Sequence, residues 1–161
     1  MSHAIPSRPA VSHERSHIAI VASLYNHQYV DAMLEATRDE ITQISPEASI
    51  AVYRVPGAFE VPVTVEQVLR LSQPDAVIAL GLIIRGETEH GDLVAASVTD
   101  GLQQIALTHG VPIIHEVLLV DNDKQAIARC LGEEINRGTE AARVAVNMVS
   151  LFKKMQSIKT V

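Results

Sequence analysis

Three observations predict an α/β fold built on a parallel sheet. Short apolar runs alternate with segments of helical period along the chain, the pattern of βαβ units with right-handed crossovers and helices on both sheet faces. One run, Ala76-Val77-Ile78-Ala79-Leu80, has no polar residue, as expected of a strand covered on both sides. The chemically mixed stretches (Tyr25-Asn26, Gly57-Ala58-Phe59-Glu60, Arg85 to His90 and the His115–Asp121 region) fall at the predicted carboxyl ends of strands. Ligands bind beyond those ends, where strand order reverses. The pattern therefore points to a small-molecule site that takes an anion.

The elements follow in order. Residues 1–16 are polar and carry Pro6 and Pro9. They read as a flexible N-terminal arm or an edge-strand extension, since proline disfavours a helix interior. Residues 17–161 read as a single domain, the size one core supports. His17 to Ala22 is the first strand and Ser23 to His27 its loop. Val30, Met33, Leu34, Thr37, Ile41 and Ile44 then share one face of a helix that Pro46 ends. Ser49 to Val55 is the second strand. In the helix Glu60 to Leu71 the apolar positions run nearly all round, which calls for burial on more than one side and suggests a subunit interface. Asp75 to Ile84 is the third strand. The helix Leu93 to Thr108 places Leu93, Ala96, Leu102, Ile105 and Ala106 on one side, and Gly110 caps it. Val111 to Val120 is the fourth strand. A short helix, Lys124 to Leu131, and a last one from Thr139 to about Met155 complete the chain. The last helix turns Ala141, Ala145, Met148, Val149 and Phe152 to one face.

Composition removes several classes. With 47% hydrophobic and 20% charged residues the chain can build a core. The net charge of −6, with no basic cluster beyond Lys153-Lys154, gives nucleic acid no electrostatic footing. Aromatics are only 3% and tryptophan is absent, which removes stacking platforms for bases. No apolar run approaches the ~18 residues of a membrane span. The N-terminus lacks the apolar centre of a signal peptide, so a cytoplasmic location is expected. The single cysteine, Cys130, excludes an intramolecular disulfide and a cysteine-rich metal site, and reads as a core filler. The histidines at 3, 13, 17, 27 and 109 have no metal-ligand spacing.

The stretch Gly81-Leu82-Ile83-Ile84-Arg85-Gly86-Glu87-Thr88-Glu89-His90-Gly91-Asp92 is the centre of the argument. A buried strand, a glycine-rich turn and a helix start together make an anion site, because backbone N–H groups and the helix dipole converge there. His90 beside such a site is a candidate proton carrier, although a solvated loop histidine satisfies the same pattern. Thr88 is equally a phosphate contact or a helix cap. Arg129 offers a bidentate fork for phosphate or a surface pair with Glu133. Glu60 reads as a first-turn carboxylate that complements the dipole of its helix.

The motifs Pro56-Gly57-Ala58-Phe59-Glu60-Val61-Pro62, Gly81 to His90, and Gly110-Val111-Pro112-Ile113-Ile114, in this order and at these separations, resemble the 6,7-dimethyl-8-ribityllumazine synthase family over roughly His17 to Phe152. The resemblance implies a flavodoxin-like three-layer αβα sandwich with a four-stranded parallel sheet of order 2-1-3-4. It implies a homopentamer, in some members assembled into a sixty-subunit shell, with active sites between neighbouring subunits. It implies condensation of 5-amino-6-(D-ribitylamino)uracil with 3,4-dihydroxy-2-butanone 4-phosphate in riboflavin biosynthesis, without metal or organic cofactor.

Carried over by position, the resemblance makes Tyr25 the aromatic that stacks on the pyrimidine, with Asn26 following it. Ala58, Phe59 and Glu60 hold the ribityl chain, and Leu82, Ile83 and Ile84 contact the pyrimidine. Glu87 and Thr88 bind the phosphorylated butanone, with Arg85 and Gly86 in the same loop, and His90 is the proton donor. His115 and Arg129 serve the neighbouring subunit's site, Arg129 on the phosphate. The chain departs from the family pattern at His115, where Phe is common, at Leu118-Leu119-Val120, where a Thr-rich segment is common, and at Glu133 and Arg137, where lysines are frequent. The departures at His115 and Glu133 motivate an alternative, a family member that binds a flavin or lumazine with weak catalysis. An electron-transfer flavodoxin is disfavoured, because Ser23-Leu24-Tyr25-Asn26-His27 lacks the glycines of an FMN phosphate loop.

Overall fold

The structure is a computed structural model that describes residues 6–132 and 136–158. Strands β1 (Ser16–Ser23), β2 (Ala48–Val55), β3 (Ala76–Ile84) and β4 (Ile113–Val120) alternate with helices α1 (His27–Ile44), α2 (Val61–Ser72), α3 (His90–His109), α4 (Asp123–Cys130) and α5 (Arg137–Ile158). All strands are parallel and lie in the order β2-β1-β3-β4. This is the three-layer α/β arrangement expected from the alternation.

Side chains of successive strand residues point to opposite faces, and the two cores follow that rule. Ile18, Ile20, Ile78 and Leu80 pack against Met33 and Ile41 of α1 and Ala141 and Ala145 of α5. Ala19, Val21, Val77 and Ala79 pack against Val65 and Val68 of α2 and Val98 and Leu102 of α3. Burial on both faces explains why β1 and β3 read as continuous apolar runs rather than alternating ones. Cys130 is fully buried in the first core, where burial pushes its thiol up to about 11. It fills space there and has no thiolate to offer near neutral pH.

Several boundaries differ from the sequence expectation. Helix α3 begins at His90, three residues before the first apolar residue of its pattern, so His90 stands on the first helical turn rather than in the loop. Of the face expected from Leu93, Ala96, Leu102, Ile105 and Ala106, Leu102 is buried and Ile105 and Ala106 are half-buried, but Leu93 and Ala96 are exposed in the single chain, and Gly91 and Val98 are buried instead. A helix apolar on several sides does not announce which side the sheet takes. Strand β4 starts at Ile113: the Pro112 carbonyl accepts the Val77 N–H at 2.9 Å, but proline has no N–H to give the ladder. Helix α5 runs to Ile158, beyond the last apolar residue of its expected face. On α2, Val63 and Leu71 are exposed while Val61, Val65, Val68 and Leu69 are buried, so this helix shows an apolar flank to the outside.

Residues 6–15 have no regular secondary structure and lie along α1 and α5. The Arg8 guanidinium donates to Glu40 and Gln43, Arg143 donates to Glu40 at 2.7 Å and to the Pro6 carbonyl, and the Ser12 N–H donates to the Ile44 carbonyl at 2.8 Å. Helices α1 and α5 meet most closely where Gly138 faces the Met33 carbonyl. A Cβ on Gly138 would lie 2.0 Å from that oxygen, and the Thr37 hydroxyl reaches both the Met33 and Gly138 carbonyls. Gly138→Ala must push the helices apart, so we expect a loss of about 3 kcal/mol, read as a lowered denaturation midpoint.

Glu116 on β4 faces Arg137 and Glu140 of α5, and the Arg137 guanidinium donates to Glu140 at 2.7 Å. Burial pushes the Glu116 carboxyl up to about 7, partly offset by Arg137 and reinforced by Glu140. The unfolded chain ionises this group near ~4.3. Its protonated form therefore favours the fold below that value, and the contribution is lost as pH rises towards 7. Glu116→Gln should raise the melting temperature at pH 8 and change it far less at pH 4, a difference that thermal scans at the two pH values would read.

Candidate active site

Strand order reverses between β1 and β3. The chain leaves β1 towards β2 on one side and reaches β3 on the other, so the carboxyl ends of β1 and β3 part the connecting loops and leave a crevice. The loop after β1 is stitched to the loop after β2: the Leu24 N–H donates to the Val55 carbonyl at 2.8 Å and the Tyr25 N–H to the Pro56 carbonyl at 3.0 Å. Asn26 adopts the left-handed conformation (φ 56°) that asparagine tolerates. Its side-chain amide donates to the Leu82 carbonyl at 2.8 Å, bridging β1 to β3 across the reversal.

An open cavity of about 660 Å³ fills this crevice. Tyr25, Asn26, Ala58, Phe59, Glu60, Leu82, Ile83, Ile84 and His90, each singled out from the sequence, all line it. The Tyr25 ring lies over Gly57, where a Cβ would come within 3.0 Å of both the ring and Glu60 Oε2. Glu60 Oε2 accepts the Gly57 N–H at 2.9 Å, which holds the carboxylate at the cavity wall with its other oxygen available. Tyr25 and Phe59 are 69% and 62% exposed. Two large aromatics so uncovered at one cavity favour an occupant with a flat apolar face. His90 adds an imidazole at the N-terminal end of α3, and the Asn26 amide and the Glu60 carboxylate add polar contacts.

Other expected residues lie outside this lining. Arg85, Gly86, Glu87 and Thr88 form an exposed loop beside the cavity, leading into His90. Arg85 is engaged by Asp92 and Asp121. His115 lies on the far side of α3, in a second groove of about 620 Å³ between the open edge of β4, the C-terminal half of α3 and α5. The Val117 N–H donates to His115 Nδ1 at 3.1 Å, and Nε2 is 2.8 Å from the Thr99 hydroxyl, which itself donates to the Ala95 carbonyl. The neutral tautomer carrying its proton on Nε2 satisfies all three. Burial lowers the His115 pKa, in keeping with a neutral ring. Arg129 projects from α4, half-buried, and donates to the Gln125 carbonyl at 3.4 Å. Glu133, its expected partner in the alternative reading, lies outside the described residues.

Some lining residues were given no site role from sequence: Gly57 and Gly91, although they lie in the stretches singled out, and Leu93, Val94 and Ser97. Four of them occupy the first turns of α3, and a helix that starts at the crevice must present that turn to it. Among the described residues no group of three or more His, Cys, Asp or Glu is arranged to hold a metal ion, and no helix is long and apolar enough to cross a membrane.

With this geometry in hand, comparison with known proteins is direct. The profile of the 6,7-dimethyl-8-ribityllumazine synthase family matches residues 15–153. A 6,7-dimethyl-8-ribityllumazine synthase from Chloroherpeton thalassium is 41% identical over 90% of this chain and 94% of its own length. That from Halorhodospira halophila is 38% identical over 91% of this chain and 95% of its own. An archaeal relative of the same name, from Pyrococcus furiosus, is 37% identical over 86% of each chain. Matched along nearly its whole length at this identity, the chain belongs to the 6,7-dimethyl-8-ribityllumazine synthase family.

Proposed function

We propose that this protein is a lumazine synthase of riboflavin biosynthesis. It condenses 5-amino-6-(D-ribitylamino)uracil with 3,4-dihydroxy-2-butanone 4-phosphate to give 6,7-dimethyl-8-ribityllumazine, phosphate and water. One observation carries this reading. The cavity at the strand reversal gathers aromatic, carboxylate, amide and imidazole groups from four separate segments, among them residues of two motifs that carry the family resemblance, Pro56 to Pro62 and Gly81 to His90.

The chemistry fits the groups. The pyrimidine is flat and suits a place against Tyr25, with the Leu82–Ile84 strand end along its edge. The ribityl hydroxyls are donors for the Glu60 carboxylate and for backbone carbonyls near Ala58 and Phe59. Imine formation expels one water and ring closure, after phosphate loss, expels a second from the remaining carbonyl, so protons must move to a departing oxygen at both steps. An imidazole at the crevice mouth can carry each of them. The Gly86 to Thr88 loop and the start of α3 offer N–H groups to the phosphate, with Glu87 beside the ketone.

Arg129 and His115 act, in this reading, in the site of a neighbouring subunit. Helix α3 stands between His115 and the chain's own cavity, and Arg129 lies on α4, which packs on the α1 and α5 side of the sheet. The exposed Phe59, Val63 and Leu93 supply an apolar rim for such a neighbour, as the nearly all-round apolar character of α2 suggests. The assembly is a homopentamer or a sixty-subunit shell of pentamers, working in the cytoplasm on small-molecule substrates.

The first test is direct: with both substrates saturating at pH 7, the folded oligomer should form the fluorescent lumazine. Absence of turnover under those conditions overturns the proposal. His90→Ala should lower kcat by roughly 10²-fold while leaving the melting temperature within a degree or two. Arg129→Ala should raise KM for the phosphorylated ketone by about tenfold or more, the value of a charge-assisted contact. Weakening confined to the pyrimidine would show that Arg129 has been given the wrong role. Protein dissociated to monomers should be inactive.

A further inference from the structure

Arg85 stands where three segments meet. Its Nε donates to both oxygens of Asp92, at 3.2 and 3.1 Å, and Nη2 donates to Asp92 Oδ1 at 2.7 Å. Its Nη1 donates to Asp121. Its backbone N–H donates to the Val120 carbonyl at 2.8 Å. Asp121 is itself held: its Oδ2 accepts from Gln125 Nε2, and its N–H donates to Gln125 Oε1, each at 2.9 Å. The end of β3, the first turn of α3 and the turn between β4 and α4 are thereby joined through one guanidinium. The loop between the two ends of this clasp is Gly86 to Glu89, and His90 lies two residues before Asp92 on the same helical turn.

The resemblance groups Arg85 with the phosphate-binding residues, but the local charge speaks against that role. Each of its three nitrogens already donates to a carboxylate, and the triad of one cation and two anions carries a net negative charge. A phosphate monoester reaching those nitrogens would come up against Asp92 and Asp121, with Glu87 and Glu89 in the adjoining loop. The fork-to-carboxylate geometry is directional. On exposed side chains it adds little to global stability, yet it fixes where a short loop begins and ends. A small displacement of a reacting group is expensive in rate.

We propose that Arg85 is a positioning residue rather than a phosphate ligand: clasped by Asp92 and Asp121, it holds the Gly86–Glu89 loop and the first turn of α3 so that His90 keeps its place at the crevice. The proposal rests on reading the crevice as the condensation site.

The test uses the full-length oligomer and compares Arg85→Gln, Arg85→Lys, Asp92→Asn and the double variant Arg85→Gln/Asp92→Asn. Three quantities are read: kcat and KM for each substrate, the dissociation constant of inorganic phosphate, and amide hydrogen exchange across residues 86–92. Expected for Arg85→Gln is a kcat lowered roughly tenfold, with KM for the phosphorylated ketone and the phosphate constant within about twofold of the parent. Asp92→Asn should reproduce that loss and the double variant should add little to it, since both break one clasp. Lysine, a point charge without a fork, should rescue only in part. Exchange across 86–92 should quicken in every variant that breaks the clasp. A phosphate constant weakened tenfold in Arg85→Gln, with Asp92→Asn unchanged or tighter, overturns the proposal and makes Arg85 a ligand. Unchanged exchange in Arg85→Gln overturns it as well. A parent protein without turnover would instead sink the condensation reading, while exchange and phosphate binding would still decide the role of Arg85.

Discussion

The pairing of β1 with both β2 and β3 is the constraint on which the molecule depends. Ile18, Ala19, Ile20, Val21 and Ala22 are all fully buried, so β1 has no face towards water and must be flanked and covered everywhere. Its two neighbours are reached by crossovers running in opposite directions, and the loops beyond its carboxyl end are forced to part. The crevice is a geometric consequence of the sheet order. What the local sequence adds is the means to keep it open and aligned. The Asn26 side chain bridges the gap to the Leu82 carbonyl, Gly57 leaves room for the Tyr25 ring against the second loop, and Glu60 closes that loop on itself.

The same arrangement divides the chemistry between two sides of one helix. Helix α3 carries Val94, Ser97 and His90 to the crevice and turns Thr99 to His115 on the other flank. A chain built this way offers an aromatic and polar wall on one side and, on the other, a groove along an unpaired strand edge. Neither surface is enclosed. Phe59, Leu93 and Leu107 are all exposed in the single chain. His115, where aromatics are common in the family, has both ring nitrogens satisfied within its own chain. What it can present outward is therefore a neutral ring, which narrows the difference from a phenyl group.

Electrostatics near the crevice follow position more than residue type. Arg85 and Arg129 are both arginines close to acidic neighbours in sequence, yet Arg85 is clasped by two carboxylates whereas the described contact of Arg129 is a long bond to a backbone carbonyl. The first is suited to fastening segments and the second to meeting an anion. Glu116, by contrast, is an acid whose burial beside α5 raises its pKa to about 7. Nothing in its strand pattern distinguishes it from a solvated edge residue.

The sequence by itself determined the fold class, the number of strands, and most of the crevice. Apolar runs long enough for one strand, helical periods between them and polar motifs at strand ends are local signals, and local signals survive without a structure. The motif residues of the first three loops converged for that reason. Only the tertiary structure decided that His90 belongs to a helix, because N-terminal helical turns carry no apolar periodicity of their own. It alone showed Leu93 exposed, although the helical period had placed Leu93 on the apolar side of α3 with Leu102. And it alone separated Arg85 from Arg129, because which carboxylates a guanidinium meets is settled by segments distant in sequence: Asp121 comes to Arg85 from the turn after the next strand, 36 residues away along the chain.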